Sequence, residues 1–301
     1  MTVVEEASRA SRLETTPVGF VGLGQIGKPM AHQLLAWPGG LRVYDVAPEP
    51  VTELHAAGAD VAGSVAELAA GVGLLCVMVR DDDQVRAVLD QAVGAAHEGL
   101  VVAVHSTVSP DTPGELADLA ARHGVQVVDA PVSGGAMGAA AGTLAIMVGG
   151  SVDAFTACKE PLALMGSKLV HAGPVGAGTR MKLARNLMHF VAFTAATEAQ
   201  GLAEAAGLDL VELGNVVRHT DAITGGPGAI MHRSTAAPID PDDFWYGVLD
   251  HVRGLGEKDL GFAVELADEL GVDVPLARLA LDRLGPGLGL PERANAEGET
   301  R

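Results

Sequence analysis

Two separate segments of this chain carry residue types that could perform chemistry together. Near the N-terminus, Gly22, Gly24 and Gly27 have the spacing G-x-G-x-x-G, between an apolar stretch and a helical stretch. Much later, Lys182 and Asn186 are four residues apart, so both side chains lie on one face of a predicted helix. The glycine turn favours a dinucleotide phosphate, and a lysine can transfer a proton. Together the segments predict a nicotinamide-dependent dehydrogenase.

The glycine loop is predicted to bind the cofactor along its whole length. The first glycine permits a tight turn, the second lets the backbone approach the pyrophosphate, and the third lets helix and strand pack closely. The N-terminus of the following helix offers free N–H groups to the anion. A glycine turn without a ligand is the alternative. The expected cofactor contacts are Gly22, Leu23, Gly24, Gln25, Ile26 and Gly27.

Asp45, at the end of the second predicted strand, is expected to choose the cofactor. A carboxylate there can accept both ribose hydroxyls of NAD and repels the 2′-phosphate of NADP. The next residues, 46–49, contain no cation. NAD is therefore favoured over NADP, although a strand-end Asp that merely caps a turn is the alternative.

Lys182 and the turn of Ser133, Gly134 and Gly135 are the candidates for substrate chemistry. The turn offers a hydroxyl and backbone N–H groups suited to a carboxylate, but it could be an ordinary loop. Lys182 lies in an otherwise apolar helix start, where desolvation would lower its pKa toward the range needed for proton transfer. A solvated surface lysine is the alternative.

The elements that position these residues alternate between strands and helices over the first half of the chain. Apolar strands are predicted at 18–21, 41–45, 74–79, 100–104, 125–128 and 144–148. Helices are predicted near 28–37, 50–57, 84–93 and 110–122. Strands that are apolar throughout and alternate with helices indicate an α/β fold, with a doubly wound parallel sheet covered on both faces.

The pattern changes after residue 174, where no convincing strand follows. One long helix is predicted over 177–206, about 45 Å at 1.5 Å per residue. Further helices are predicted at 210–219, 248–270 and 275–284. We therefore expect a nucleotide-binding domain at 17–174 and an all-α domain at 175–290, joined by the long helix, with flexible tails at 1–16 and 291–301.

Composition excludes several classes of function. The net charge of −18 argues against nucleic acid as a partner. No apolar stretch reaches the roughly 20 residues of a membrane span, and the N-terminus lacks the apolar core of a signal peptide, so the expected location is cytoplasmic.

Cysteines and acidic residues give no strong sign of a metal or a disulfide framework. The two cysteines are too few for a framework, and Cys76 is expected to be a buried thiol. No metal-ligand spacing is present. In the run 81–83, one Asp is expected to cap the next helix and the others to be solvated, rather than to bind a metal.

Four motifs in this order and spacing resemble the β-hydroxyacid dehydrogenase family, which includes 3-hydroxyisobutyrate dehydrogenase. They lie at 19–31, at 129–135 continuing to 142–150, at 176–186 and at 258–260. The resemblance covers about residues 18 to 279. It implies a Rossmann domain followed by a helical domain, with the active site in the cleft between them.

The resemblance also implies roles for single residues. Lys182 matches the family's catalytic lysine, and Asn186 matches the asparagine that helps to hold the substrate. Thr107 matches a threonine beside the nicotinamide, and Lys258 a lysine that reaches cofactor and substrate from the second domain. The loop that binds the substrate carboxylate is matched by Ser133, Gly134 and Gly135.

The chain departs from the family pattern at Arg185, where many members have a second asparagine; this side chain could reshape the substrate pocket or face solvent. Residues 136–140 offer no cation for a phosphate-bearing substrate. The expected activity is therefore NAD-dependent oxidation of a small 3-hydroxy acid such as 3-hydroxyisobutyrate. An imine reductase and a non-catalytic NAD sensor are the alternatives; Lys182 argues against both. A homodimer or homotetramer is expected.

Overall fold

A computed structural model describes residues 16–231, 233 and 235–291 of the chain. All but one residue of each expected tail lies outside these ranges. The described residues form two compact units, with the division between Arg185 and Asn186. The domain boundary expected near residue 174 stays a prediction.

The first unit is built on a nine-stranded sheet in the order β3-β2-β1-β4-β5-β6-β8-β7, with β9 paired to β8. The order reverses direction at β1, between β2 and β4, and ligands of such sheets bind at the carboxyl ends of the strands beside this point. The strands are β1 (Val18–Val21), β2 (Leu41–Tyr44), β3 (Asp60–Val61), β4 (Leu74–Val77), β5 (Val101–Val104), β6 (Gln126–Asp129), β7 (Val132–Ser133), β8 (Ala145–Gly149) and β9 (Lys168–Gly173).

Strand direction follows the expected doubly wound pattern through β6 and then departs from it. All neighbours from β3 to β6 are parallel. β8 pairs antiparallel with both β6 and β7, and β9 is parallel to β8. The sheet is therefore mixed, because only β7 and a six-residue helix lie between β6 and β8, in place of the long crossover helix that a parallel connection uses.

Helices cover both faces of this sheet. The sides of β4 alternate, with Leu74 and Cys76 in one buried cluster and Leu75 and Val77 in the other. Cys76 is thus a buried thiol, as expected. The helices are α1 (Gly27–Gln33), α2 (Pro48–Ala56), α3 (Val65–Ala70), α4 (Asp82–Val93), α5 (Thr112–Ala121), α6 (Gly135–Ala140) and α7 (Val152–Met165), and a 3-10 turn (Leu34–Ala36) follows α1.

Two aspartates of the acidic run at the start of α4 accept hydrogen bonds from other parts of the first unit. The Asp81 side chain accepts the Gln84 N–H at 3.0 Å and caps α4, which confirms the expected capping role. Asp82 is not simply solvated, contrary to expectation, because Oδ1 accepts the Ser109 N–H at 3.0 Å and the Thr112 hydroxyl. It therefore ties α4 to the start of α5.

The second unit is helical in its described part, as the sequence predicts. It contains most of α8 (Ala177–Ala205), then α9 (Leu210–Thr224), α10 (Phe244–Leu270) and α11 (Pro275–Gly287), with a 3-10 turn (Gly226–Gly228) after α9. Glu198 on α8 accepts the N–H groups of Leu276 and Ala277 at 2.7 and 2.9 Å, so it holds the start of α11. No helix in the described ranges is long and apolar enough to cross a membrane; the cytoplasmic location stays a prediction.

Candidate active site

The three glycines of the nucleotide loop have different steric surroundings. Gly22 has φ +92°, and a Cβ there would lie 2.1 Å from the Met78 carbonyl oxygen. A Cβ at Gly27 would lie 1.9 Å from the Gly22 carbonyl oxygen, whereas nothing lies within 4 Å of one at Gly24. Only Gly24 therefore faces open space, as a loop that receives a pyrophosphate requires.

Asp45 fixes the loop to the end of β2. Its Oδ2 accepts the Leu23 N–H at 2.5 Å, and its Oδ1 accepts the Ala47 N–H at 2.8 Å. The carboxylate is half-buried beside the glycine turn, where the ribose of a dinucleotide would lie. Leu23 contributes its backbone here, because its side chain is buried in the core.

A cavity of about 590 Å³ opens at these strand ends. Its volume lies in the usual range for small-molecule and cofactor sites. Among its lining residues are the predicted Gly22, Gly24, Gln25, Ile26, Gly27 and Asp45. These residues fit a dinucleotide, because an open glycine turn at a helix start lies beside a carboxylate that could accept ribose hydroxyls.

Arg80 also lines this cavity, although the sequence interpretation did not include it among the candidate cofactor contacts. It follows the apolar run 74–79 and precedes the acidic run 81–83, and this position after a predicted strand was the available signal. Its Nε pairs with Asp81 Oδ2 at 3.0 Å, so the carboxylate offsets part of its charge. A cation is therefore present at the cavity, although none follows Asp45 along the chain.

Lys182 and Ser133 form the second half of the candidate site. The Lys182 side chain is only 8% exposed, and its Nζ donates to Ser133 Oγ at 2.8 Å. Burial lowers the pKa of Lys182, and the positive charge of Arg185 lowers it further. The amine is thus held by a hydroxyl and biased toward its neutral form, the form that can accept a proton.

The substrate turn is shaped by its glycines. Ser133 ends β7, which pairs with β8. Gly134 has φ +135° and Gly135 φ +62°, where residues with side chains are strained. A Cβ on Gly134 would lie 3.0 Å from the Leu144 side chain. A Cβ on Gly135 would have no neighbouring heavy atom within 4 Å. The open side of the turn is therefore at Gly135.

The structure places the other predicted site residues, Thr107, Asn186 and Lys258, at three different points of the fold. Thr107 is exposed, two residues after His105 and next to Ser106, whose hydroxyl bonds the backbone of Val79. Asn186 lies one turn beyond Lys182 on α8, as the first residue of the second unit. Lys258 lies on α10 of that unit and pairs with Asp259 at 3.1 Å. Their parts in cofactor and substrate binding stay predictions.

His105 is a buried residue that sequence patterns did not single out. It follows β5 and is 1% exposed; its Nδ1 donates to the Ala130 carbonyl at 2.8 Å, while its Nε2 has no partner among the described atoms. Burial lowers the pKa of His105 to about 4. The residue is therefore neutral near pH 7 and supports the strand end that leads to Thr107.

Two family models match adjacent parts of the chain. Residues 17–173 match the NAD-binding domain of 6-phosphogluconate dehydrogenase. Residues 176–284 match a domain described as the NAD-binding domain of NADP-dependent 3-hydroxyisobutyrate dehydrogenase. The first unit therefore contains an NAD(P)-binding domain of the Rossmann type.

Individual relatives cover nearly the whole chain. An uncharacterized oxidoreductase of Mycobacterium tuberculosis is 52% identical over 92% of this chain and 95% of its own. An NAD-dependent L-serine dehydrogenase of Pseudomonas aeruginosa is 33% identical over 88% of this chain and 89% of its own.

Solved structures show the same relationship. The crystal structure of a Mycobacterium avium protein has a TM-score of 0.89 at 51% identity and covers 91% of this chain and 99% of its own. An imine reductase of Streptomyces aurantiacus has a TM-score of 0.72 at 21% identity, over 91% of this chain and 95% of its own, which shows a shared fold alone. With the two family models and these relatives, the chain is an oxidoreductase and belongs to the β-hydroxyacid dehydrogenase family.

Proposed function

We propose that this protein oxidises a small 3-hydroxy acid with NAD and that Lys182 accepts the hydroxyl proton. The observation that carries the proposal is the buried Lys182 amine, 2.8 Å from the Ser133 hydroxyl and with a lowered pKa. A surface lysine would be solvated and fully charged at neutral pH, and it could not act as a base there.

The chain's own residues divide the work as follows. Ser133 and the neighbouring glycine turn hold the substrate carboxylate and orient the hydroxyl toward Lys182. Neutral Lys182 takes the hydroxyl proton on Nζ. At the same time, the C–H bond of the carbon that carries this hydroxyl breaks, and a carbonyl forms. A bound nicotinamide would supply the acceptor for the hydride that leaves this carbon. Burial of the amine keeps competing water away from the proton.

Asp45 supports NAD over NADP as the cofactor. Its carboxylate lies beside the loop, where it would accept ribose hydroxyls and repel a 2′-phosphate. Arg80 lines the same cavity and would favour the phosphate, but Asp81 offsets its charge. Because Asp45 is held by two backbone N–H groups and Arg80 is exposed, we expect the carboxylate to dominate.

A 3-hydroxy acid without phosphate suits the substrate turn. L-serine appears in the name of one relative, and 3-hydroxyisobutyrate appears in the description of a matching family model. Both compounds carry a carboxylate and a hydroxyl on the third carbon. Residues 136–140 carry no cation for a phosphate. 3-Hydroxyisobutyrate is our first expectation, with L-serine as the next substrate to compare.

A substrate panel tests this proposal. Purified protein is incubated with NAD or NADP and with one of four kinds of substrate: 3-hydroxyisobutyrate, L-serine, 2-hydroxy acids and the phosphorylated acid 6-phosphogluconate. Reduction of the nicotinamide is followed by its absorbance. We expect turnover of a 3-hydroxy acid with NAD. Turnover of only 2-hydroxy or phosphorylated acids would contradict the proposal.

Two other functions of the fold are separated by the same assay run in both directions. An imine reductase would consume reduced cofactor with a cyclic imine and ignore hydroxy acids. A sensor would bind NAD without turnover of any substrate. The buried Lys182 and its contact with Ser133 favour the dehydrogenase, because a sensor needs neither residue.

We also propose that the helical unit forms a homodimer or homotetramer. Large apolar side chains are exposed on α8, including Leu187 at 70%, Phe190 at 59% and Phe193 at 55%. These three side chains recur every three residues and so lie toward one side of the helix, and an exposed apolar surface of this kind marks an association site. Sedimentation should give a multiple of the chain mass, and Phe190→Ser with Phe193→Ser should shift it toward the monomer. A monomeric wild type would exclude this association.

A further inference from the structure

Asp129 joins the two chain segments that carry the candidate catalytic pair. It ends β6, four residues before Ser133, and it is 1% exposed. Its Oδ1 accepts the Gly176 N–H, and its Oδ2 accepts the Thr179 N–H, both at 2.6 Å. Gly176 directly precedes α8, and Thr179 lies in its first turn, three residues before Lys182.

The surroundings of this carboxylate leave little freedom. A Cβ on Gly149 would lie 2.4 Å from Asp129 Oδ1, and a Cβ on Gly178 would lie 2.2 Å from the Met147 carbonyl oxygen. β8 and the first turn of α8 therefore approach each other backbone to backbone, around the Asp129 side chain. Burial raises the pKa of Asp129, and the two N–H groups oppose that shift by stabilising the charged form.

We propose that Asp129 is a positioning residue, which holds the first turn of α8 so that the Lys182 amine lies against the Ser133 hydroxyl. The proposal rests on the proposed role of Lys182. Thr179 and Lys182 are three residues apart, so a movement of the Thr179 backbone is passed to the next turn of a rigid helix. Asp129 and Ser133 are joined by a short stretch that β8 holds in register. A displacement of about 1 Å at a catalytic group can cost about 10²-fold in rate.

Asp129→Asn tests this link with little change in shape. The amide keeps one oxygen acceptor but turns an N–H group toward the second backbone donor. We expect kcat to fall about 100-fold, with the KM for NAD unchanged. In a crystal structure of Asp129→Asn, the distance from Lys182 Nζ to Ser133 Oγ should exceed 3.5 Å, the limit of a hydrogen bond. This readout does not depend on the substrate.

A double-mutant cycle with Lys182→Met separates positioning from general stability. If Asp129 acts through the lysine, the double variant loses no more activity than Lys182→Met alone. Losses that multiply would overturn the proposal and leave the role of Lys182 intact. If Lys182→Met itself retained full activity, the proposed function would fail instead.

Glu198→Gln is the matched control, since this carboxylate also holds two backbone N–H groups at a helix start and lies outside the candidate site. Its kcat should stay at the wild-type value. If Asp129→Asn loses NAD binding and does not fold, Gly178→Ala moves the same helix turn with Asp129 intact and should give the same loss and the same cycle. Loss of NAD binding in both variants would overturn the proposal, because the contact would then serve the fold as a whole.

Discussion

Lys182→Met is the most direct perturbation of the candidate chemistry. Methionine keeps most of the length and apolar character of the side chain, so the buried space around residue 182 stays filled. The variant removes the Nζ atom and with it the contact to Ser133. Folding and NAD binding should survive, because a buried amine is exchanged for an apolar group.

The expected loss follows from the role of the amine. General base catalysis contributes about 10²- to 10⁴-fold in rate, or about 3 to 5 kcal/mol in the barrier. The loss of the hydrogen bond to Ser133 adds little, because that hydroxyl is half-buried and can turn to hydrogen-bond with solvent on its own open side. We therefore expect kcat to fall by about 10²- to 10⁴-fold, with the KM for NAD within a few-fold of the wild type.

The pH dependence of the same reaction gives a second readout. Since burial and Arg185 lower the pKa of Lys182, the neutral base forms at a lower pH than for a free lysine. The rate of hydroxy acid oxidation should rise with pH through an ionisation below the usual lysine value of about 10.4. Lys182→Arg keeps a charge but cannot exchange a proton at this pH, so it should lose this ionisation and the activity.

Stopped-flow measurement of nicotinamide reduction at saturating substrate, across a pH series, gives both the kcat of each variant and the position of this ionisation. Calorimetric titration with NAD is the control for folding. A Lys182→Met variant that retained more than about a tenth of the wild-type kcat would refute the reasoning, since a general base contributes more than this. A Lys182→Arg variant with near-normal turnover would show that the charge, and not the proton, is what matters.

Three further predictions concern single side chains. Asp45→Asn should shrink the ratio of kcat/KM for NAD over NADP at least tenfold, an order-of-magnitude estimate for one lost carboxylate; a wild type that prefers NADP would contradict this. Ser133→Ala should lower kcat/KM for the hydroxy acid by about 10- to 100-fold, as a bond to a charged group implies, and equal loss of NAD affinity would place the turn at the cofactor instead. For His105, a folded pKa of about 4 against 6.5 means that the unfolded chain binds more protons between these values. The free energy of unfolding in urea should therefore fall by about 3 kcal/mol as the pH drops from 6.5 to 4, and His105→Asn should remove this slope whereas the exposed His123→Asn should keep it.

The strands and the nucleotide loop could be predicted because their signals are local. A run of apolar residues such as 74–77 predicts a strand that is buried on both faces of the sheet. The glycine motif at 22–27 is recognised from its own spacing and from the strand and helix beside it. The strand Lys168–Gly173 was missed because it is polar in part and partly exposed, and it lies off the main strand path, paired only to β8 in the described sheet. The two-residue strand Val132–Ser133 is too short to show any periodicity, and the antiparallel end of the sheet was missed with it.

The candidate site was predictable only in part, for a related reason. The burial of Lys182 was expected from its apolar neighbours, and the structure bears this out. The partners of Asp129 lie 47 and 50 residues away along the chain. The Ala130 carbonyl that His105 contacts lies 25 residues away. Arg80 pairs with its neighbour Asp81, but its place at the cavity depends on strand ends that meet only after folding. No local pattern encodes such contacts, so these residues needed the structure.

The contacts of Asp129 determine where this chain can be divided into independent pieces. A fragment that ends at residue 173, where the first family match ends, retains Asp129 but lacks Gly176 and Thr179, the two donors to its carboxylate. Each lost hydrogen bond to a charged group costs about 1.5 to 3 kcal/mol. The glycine loop and all nine strands would be present in such a fragment, yet its stability would be marginal. A fragment that continues to Arg185, the end of the first compact unit, would retain both donors together with Lys182, so we expect the more stable fragment to carry the candidate proton acceptor as well.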